Sequence, residues 1–148
     1  MKKIGEYTTR GAIQSDEAPN RIILFDGKFD TAYRVVEFQI AGHDMDFLTG
    51  RNFTAKLMTD DDVDTGVNWN WDSNQEIAWS TFAFDADNIA NVNAFTLVDP
   101  DNLVVEDLYI SAHNVGDPVK VNYFIRLEKY DISDSQGALA MVRNRSQA

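Results

Sequence analysis

The chain has 148 residues, a formal charge of −11 and no cysteine. That length suits one domain with a core that needs no covalent staple, and 44% hydrophobic with 25% charged residues is a globular composition. Disulfide and thiolate chemistry are excluded, a structural zinc site lacks its usual ligands, no apolar run can span a bilayer, and the acidic balance disfavours phosphate backbones.

Residues 1–20 read as an N-terminal arm. "MKKIGEYTTR" has two lysines with no apolar segment behind them, so no secretory signal is expected. Lys2, Lys3 and Arg10 at this end, with Arg143 and Arg145 at the other, put basic tips on an acidic body. Such tips are either solvated ends or groups that reach a neighbouring subunit's acidic surface or an enclosed genome, and the first is the ordinary reading.

Residues 21–132 read as a β-sandwich domain. "RIILF" is a short β-branched run that stops at the turn signal "DGK", the pattern of a hairpin. "TAYRVVEFQIA" alternates, with Val36, Phe38 and Ile40 on one face and Tyr33, Val35, Glu37 and Gln39 on the other. "FTAKLMT" sets Phe53, Ala55 and Leu57 against Thr54, Lys56 and Met58, and "EIAWSTFAF" sets Ile77, Trp79, Thr81 and Ala83 against Ala78, Ser80, Phe82 and Phe84. "NLVVEDLYISA" puts Val104, Leu108 and Ile110 on one face. "VKVNYFIRLEKY" puts Val119, Val121, Tyr123, Ile125 and Leu127 against Lys120, Asn122, Phe124, Arg126 and Glu128. The Gly and Pro of "HNVGDP" between these last two predict an antiparallel hairpin.

The remaining turns are acidic, and no long amphipathic helix separates the runs. Together these features predict an all-β, antiparallel sandwich of jelly-roll type. Residues 133–148 depart from the pattern. Ser133 and Gln136 form a capping-box spacing ahead of "ALAMV", which predicts a short C-terminal helix, with an extended arm as the alternative.

Catalytic signals are sparse. The two histidines, His43 and His113, stand in polar turn segments, and no nucleophile elbow, zinc-protease motif or phosphate loop occurs. The expectation is a protein that is not an enzyme; a small hydrolase using His43 or His113 is the weakest rival. Asp60, Asp62 and Asp64 fill the first three slots of a calcium loop, but Gly66 comes one residue late and Trp71 stands where a bidentate Glu belongs. The ordinary reading is a solvated acidic loop with no cofactor; the other is an irregular Ca²⁺ site.

All three tryptophans fall in "NWNWDSNQEIAW". Trp69 and Trp71, two apart, are candidates for a subunit interface, for core packing, or for a two-ring platform on a sugar with Asn68, Asn70, Asp72 and Asn74 around it. Trp79, on an alternating strand, reads as core.

Four blocks carry a resemblance: "GKFDTAYRVVEFQIA", "NWNWDSNQEIAWS", "LVDPDNLVVEDLYI" and "NYFIRLEKYDISDSQGALAMVRNRSQ". They resemble short virion structural proteins of marine viruses and phages, in block order over residues 27 to 147. This chain has Ser135 where the resembling sequences carry a Trp before Gln136, which bears on the packing of that turn. The resemblance implies a many-copy virion component, made in the host cytoplasm, whose partner is itself together with other virion proteins. It brings no catalytic residue. Nucleic acid and membrane are not expected partners. The interface candidates are Trp69, Trp71, Arg143 and Arg145. The alternative function is a carbohydrate-binding module for host attachment built on Trp69 and Trp71.

Overall fold

The computed structural model describes residues 1–44, 50–61, 68–85 and 88–133. Among them are eight strands: β1 (Lys2–Gln14), β2 (Asn20–Ile22), β3 (Thr31–Gly42), β4 (Arg51–Met58), β5 (Glu76–Asp85), β6 (Asn88–Val98), β7 (Leu108–Asn114) and β8 (Lys120–Asp131). They form two sheets, ordered β1-β8-β3 and β2-β7-β4-β5-β6, and every pairing between them is antiparallel. The fold is therefore all-β with two antiparallel sheets, and one apolar cluster drawn from both lies between them.

Alternation decides which side chains enter that cluster. On β8, Val121, Ile125 and Leu127 are buried while Lys120, Phe124 and Arg126 face water, as the sequence pattern predicts. On β3 the pattern is corrected. The ladder steps from Val35 opposite Leu127 to Glu37 opposite Arg126, leaving Val36 as an extra, bulged residue. A bulge moves the following residues to the other face. Val35 thus joins Phe38 and Ile40 in the core, and Val36 is only half-buried.

Two expected hairpins are also corrected. β2 pairs with β7, whereas β3 lies in the other sheet. β7 pairs with β4 and β2, whereas β8 lies between β1 and β3. The turn residues in "DGK" and "HNVGDP" do turn the chain, with Gly27 at φ 85° and Gly116 at φ 112°, but each turn crosses from one sheet to the other. The connections β4–β5 and β5–β6 are the ones that join paired neighbours.

Residues 1–20, expected as an arm, contain β1, which is paired with β8 from Lys2 to Gln14. Its polar, mostly exposed sequence hid it, because an edge strand that sends only Ile13 into the core shows no apolar row. Just after β1 the chain is fastened to the opposite sheet. The amide of Asp16 donates to the Ala112 carbonyl at 2.8 Å, and its carboxylate accepts from the Asn114 amide and pairs with His113 Nδ1. Asp16 sits at φ 61°, a left-handed geometry that Asp tolerates better than most residues. The expected C-terminal helix or arm lies outside the described residues beyond Ser133, and with it Arg143 and Arg145.

The outer edge of β3 is closed by residues 102 to 104. The Asn102 side chain accepts from the Val35 amide at 2.8 Å and donates to the Val35 carbonyl at 2.9 Å, so it acts as one more strand residue. Tyr33 and Val104 then exchange a pair of backbone bonds.

Candidate functional site

The outer face of the five-stranded sheet is where the tryptophans gather. The pairing aligns Ser111, Lys56, Trp79 and Leu97 in one row across β7, β4, β5 and β6, with His113, Thr54, Thr81 and Phe95 in the next. Sequence alternation makes this the solvent face. Yet Lys56, Trp79 and Ser111 are all buried, with the loop of residues 68–75 attached over the first two.

The loop is attached through an ion pair. Lys56, only 1% exposed, donates through Nζ to Glu76 Oε2 at 2.9 Å and to the Asn68 carbonyl at 3.0 Å. Glu76 Oε1 accepts from the Asn70 amide at 2.8 Å and from Trp79 Nε1 at 2.9 Å, and Oε2 takes a further bond from Asn70 Nδ2. Burial pushes the Glu76 carboxyl upward, but the bonds from Trp79, Asn70 and Lys56 outweigh it and hold the group below the usual carboxylate range. The Lys56–Glu76 pair therefore ties together β4, β5 and the loop, through Asn68 and Asn70 on either side of Trp69. A charge buried this deeply is tolerable only when its lone pairs are filled in this way.

On that base the indoles take different roles. Trp69 is half-buried and stacks on Phe95 of β6, centroids 6.0 Å apart and planes 26° apart. Its Nε1 is buried with no hydrogen-bond partner among the described residues, where Phe95 is its stacking partner. Trp71 leans on Trp79 at 5.7 Å with a 58° tilt and stays 61% exposed. Beside them Phe95 is 47% and Leu97 40% exposed. Trp71 from the loop and Phe95 and Leu97 from β6 are the exposed apolar side chains of this face, with Asn68, Asn70 and Asp72 exposed in the same loop. The structure thus joins Trp69 and Trp71 to one site but spends one face of Trp69 on Phe95. Trp79 is buried, as expected, though on the outer side of the sheet.

Phe95, Leu97, Lys56 and Glu76 are the members that sequence reasoning missed. The signal for the first two is the alternation of "NVNAFTLV", where Asn93, Phe95 and Leu97 oppose Ala94, Thr96 and Val98. Nothing in the sequence links Lys56 to Glu76.

Of the acidic triplet, Asp60 is described, while Asp62 and Asp64 lie outside the described residues. Asp60 accepts from the Asp61 amide and lines a cavity of about 290 Å³ with Glu106 and Asp107. Asp107 is already bound to Arg21 and to the Leu24 and Phe25 amides. Among the described residues no group of three or more acidic or histidine side chains is placed to hold a metal.

Comparison with protein-family models, with curated proteins and with solved structures yields no match for this chain.

Proposed function

We propose that the chain is a non-catalytic structural subunit that assembles with copies of itself, in the manner of a virion shell or shell-associated protein, and that the face bearing Trp71, Phe95 and Leu97 is a contact surface. The observation that carries this reading is the exposed aromatic face built on a buried ion pair. A contiguous apolar surface of large side chains, rigid before contact and bordered by polar groups, has the anatomy of an interface core and its rim.

The order of strands supports the finer reading of a jelly roll. The first strand pairs with the last, the second with the second-last, and the central two with each other; β3 packs against β6. Three of the four pairings of one long antiparallel hairpin rolled on itself are thus present, while β3 and β6, the fourth pair, lie in different sheets. Jelly rolls occur in viral capsids and also in lectins and cupins, so the fold agrees with the virion reading without selecting it. The charge adds a constraint. Subunits at −11 repel, so contact must come from apolar area or from basic groups on an acidic neighbour, and added salt strengthens the former while screening the latter.

Sedimentation velocity of the full chain against concentration and salt tests the reading. Assembly at micromolar concentration, weakened tenfold or more in Trp71→Ala/Phe95→Ser, is the expected result. A strict monomer at every concentration and salt, or unchanged assembly of the double variant, defeats it. The sugar reading draws on Trp71, whose exposed ring lies beside Asn70 and Asp72. It predicts a saturable shift of tryptophan emission with oligosaccharides, lost in Trp71→Ala.

A further inference from the structure

The geometry points to a second contact between copies: β1 pairs antiparallel with β1 of another subunit, over Gly5–Gly11, joining two three-stranded sheets into one. This surface is separate from the aromatic face and does not depend on it.

Three observations carry it. The two edges of the three-stranded sheet are treated differently. The β3 edge is closed over Tyr33–Val35 by Asn102 and Val104, whereas β1, at the other end of the order, has no strand or capping side chain beyond it among the described residues. β1 is also long, thirteen residues, with no proline, and it is mostly exposed. Such an edge presents a row of unpaired amides and carbonyls that templates another strand.

The second observation is a register written in charge. A symmetric antiparallel pair must set each residue opposite one of the same parity, or the two sheet faces would not match. One such register puts Thr8 on the two-fold axis, Tyr7 opposite Thr9, Glu6 opposite Arg10 and Gly5 opposite Gly11. Moving the axis to Glu6 or to Arg10 opposes like charges, and moving it to Tyr7 or Thr9 leaves both charges without an opposite. Among the described residues Arg10 makes no ion pair, and Glu6 pairs with the exposed Lys3 alone. Opposite charges facing each other across strands favour one register over its neighbours.

The third observation fixes the length. The β1–β8 ladder skips Ile4 between Lys3 and Gly5, so regular pairing starts at Gly5. In the proposed register the symmetric limit is Gly11. Both glycines lack a Cβ under a tyrosine ring: one added at Gly5 would lie 3.0 Å from Tyr7, and one added at Gly11 would lie 2.9 Å from the Tyr123 hydroxyl. The paired segment is therefore bounded at both ends by the same two residues. The free edge of β6 carries no charged residue from Asn88 to Val98, so it specifies no register of its own.

The chain has no cysteine, so a single one reports cleanly. In a Trp71→Ala/Phe95→Ser background, which removes the aromatic contact, Thr8→Cys should oxidise to a disulfide-linked dimer at least tenfold faster than Ala12→Cys. The two Ala12 positions stand roughly 25 Å apart in this register. Glu6→Arg should weaken the dimer at least tenfold in sedimentation equilibrium, and Glu6→Arg/Arg10→Glu should restore it to within threefold. Equal cross-linking at both positions, no dimer, or a double swap as weak as the single one overturns the proposal. Loss of the aromatic contact alone leaves these outcomes unchanged.

Discussion

The two sheets turn one outer face each to the surroundings, and the faces are built oppositely. On the three-stranded sheet Gln39, Phe124 and Arg10 form one cross-strand row and Glu37, Arg126 and Thr8 the next, most of them open to water. On the five-stranded sheet the corresponding rows hold a buried lysine, a buried tryptophan and a loop fastened over them. β8 of the one sheet and β4 and β5 of the other all alternate in sequence. The difference shows that alternation reports which side chains share a face and not what covers that face. The covered face concentrates its stability in one carboxylate, and the open face spreads small terms over many charges.

Removing that carboxylate is the strongest way to break the comparison. Glu76→Ala leaves Lys56 as a buried charge and strands the Asn70 amide and Trp79 Nε1, so we expect a loss of about 3–5 kcal/mol in urea unfolding. Lys56→Met/Glu76→Leu removes both charges together and should recover much of that loss, because an apolar pair of similar volume needs no partner. If Glu76→Ala costs no more than a surface substitution, the pair is not the anchor of the loop.

Asn102→Ala comes next, and it tests the closed edge of β3. It strands the Val35 amide and carbonyl, both buried, for a loss of about 2–4 kcal/mol by the same measurement. Among the described residues no equivalent side chain guards β1, so no substitution of comparable effect should exist along its outer edge.

How much of this was legible follows from what each signal depends on. The class of fold came through, since the rows of β8, β4 and β5 need only a period of two. The sheet partners did not. Turn chemistry at "DGK" and "HNVGDP" says that the chain reverses, but a reversal inside one sheet and a crossing between two use the same residues. Val36 was misplaced because a bulge leaves no mark in "YRVVEF". At the site, Trp69 and Trp71 stood out by composition. Phe95 and Leu97 were masked by the asparagines around them. Lys56 and Glu76 were invisible as a pair, because a charge looks alike in sequence whether water or a carboxylate solvates it.

Acid should separate the faces more gently. Glu76 is depressed in the fold, against an unfolded value of about 4.3, so its stabilisation is complete above that pH and is lost as pH falls through the lower folded value. Burial pushes the Asp107 and Asp16 carboxyls up, but bonds from Phe25, Arg21 and Leu24, and from His113 and Asn114, hold both below the usual range. They add to the same slope. Glu128 on the open face is lowered by Lys3 and by the Tyr130 hydroxyl. Denaturation midpoints between pH 6 and pH 3 should therefore flatten most in Glu76→Gln and less in Glu128→Gln. The reverse order contradicts the assignment of the buried anchor.

The smallest expected effect is on the open face itself. Arg126 Nε and Glu37 Oε2 lie 3.7 Å apart with both side chains well exposed, 58% and 36%. At that separation water screens most of the attraction, and ordering two long side chains offsets the remainder. Arg126→Ala and Glu37→Ala should each shift stability by less than about 0.5 kcal/mol, and the double variant should equal their sum. A larger loss, or a coupling above about 1 kcal/mol, would mean that this face is covered too, and would make it a second contact surface of the kind built around Trp71.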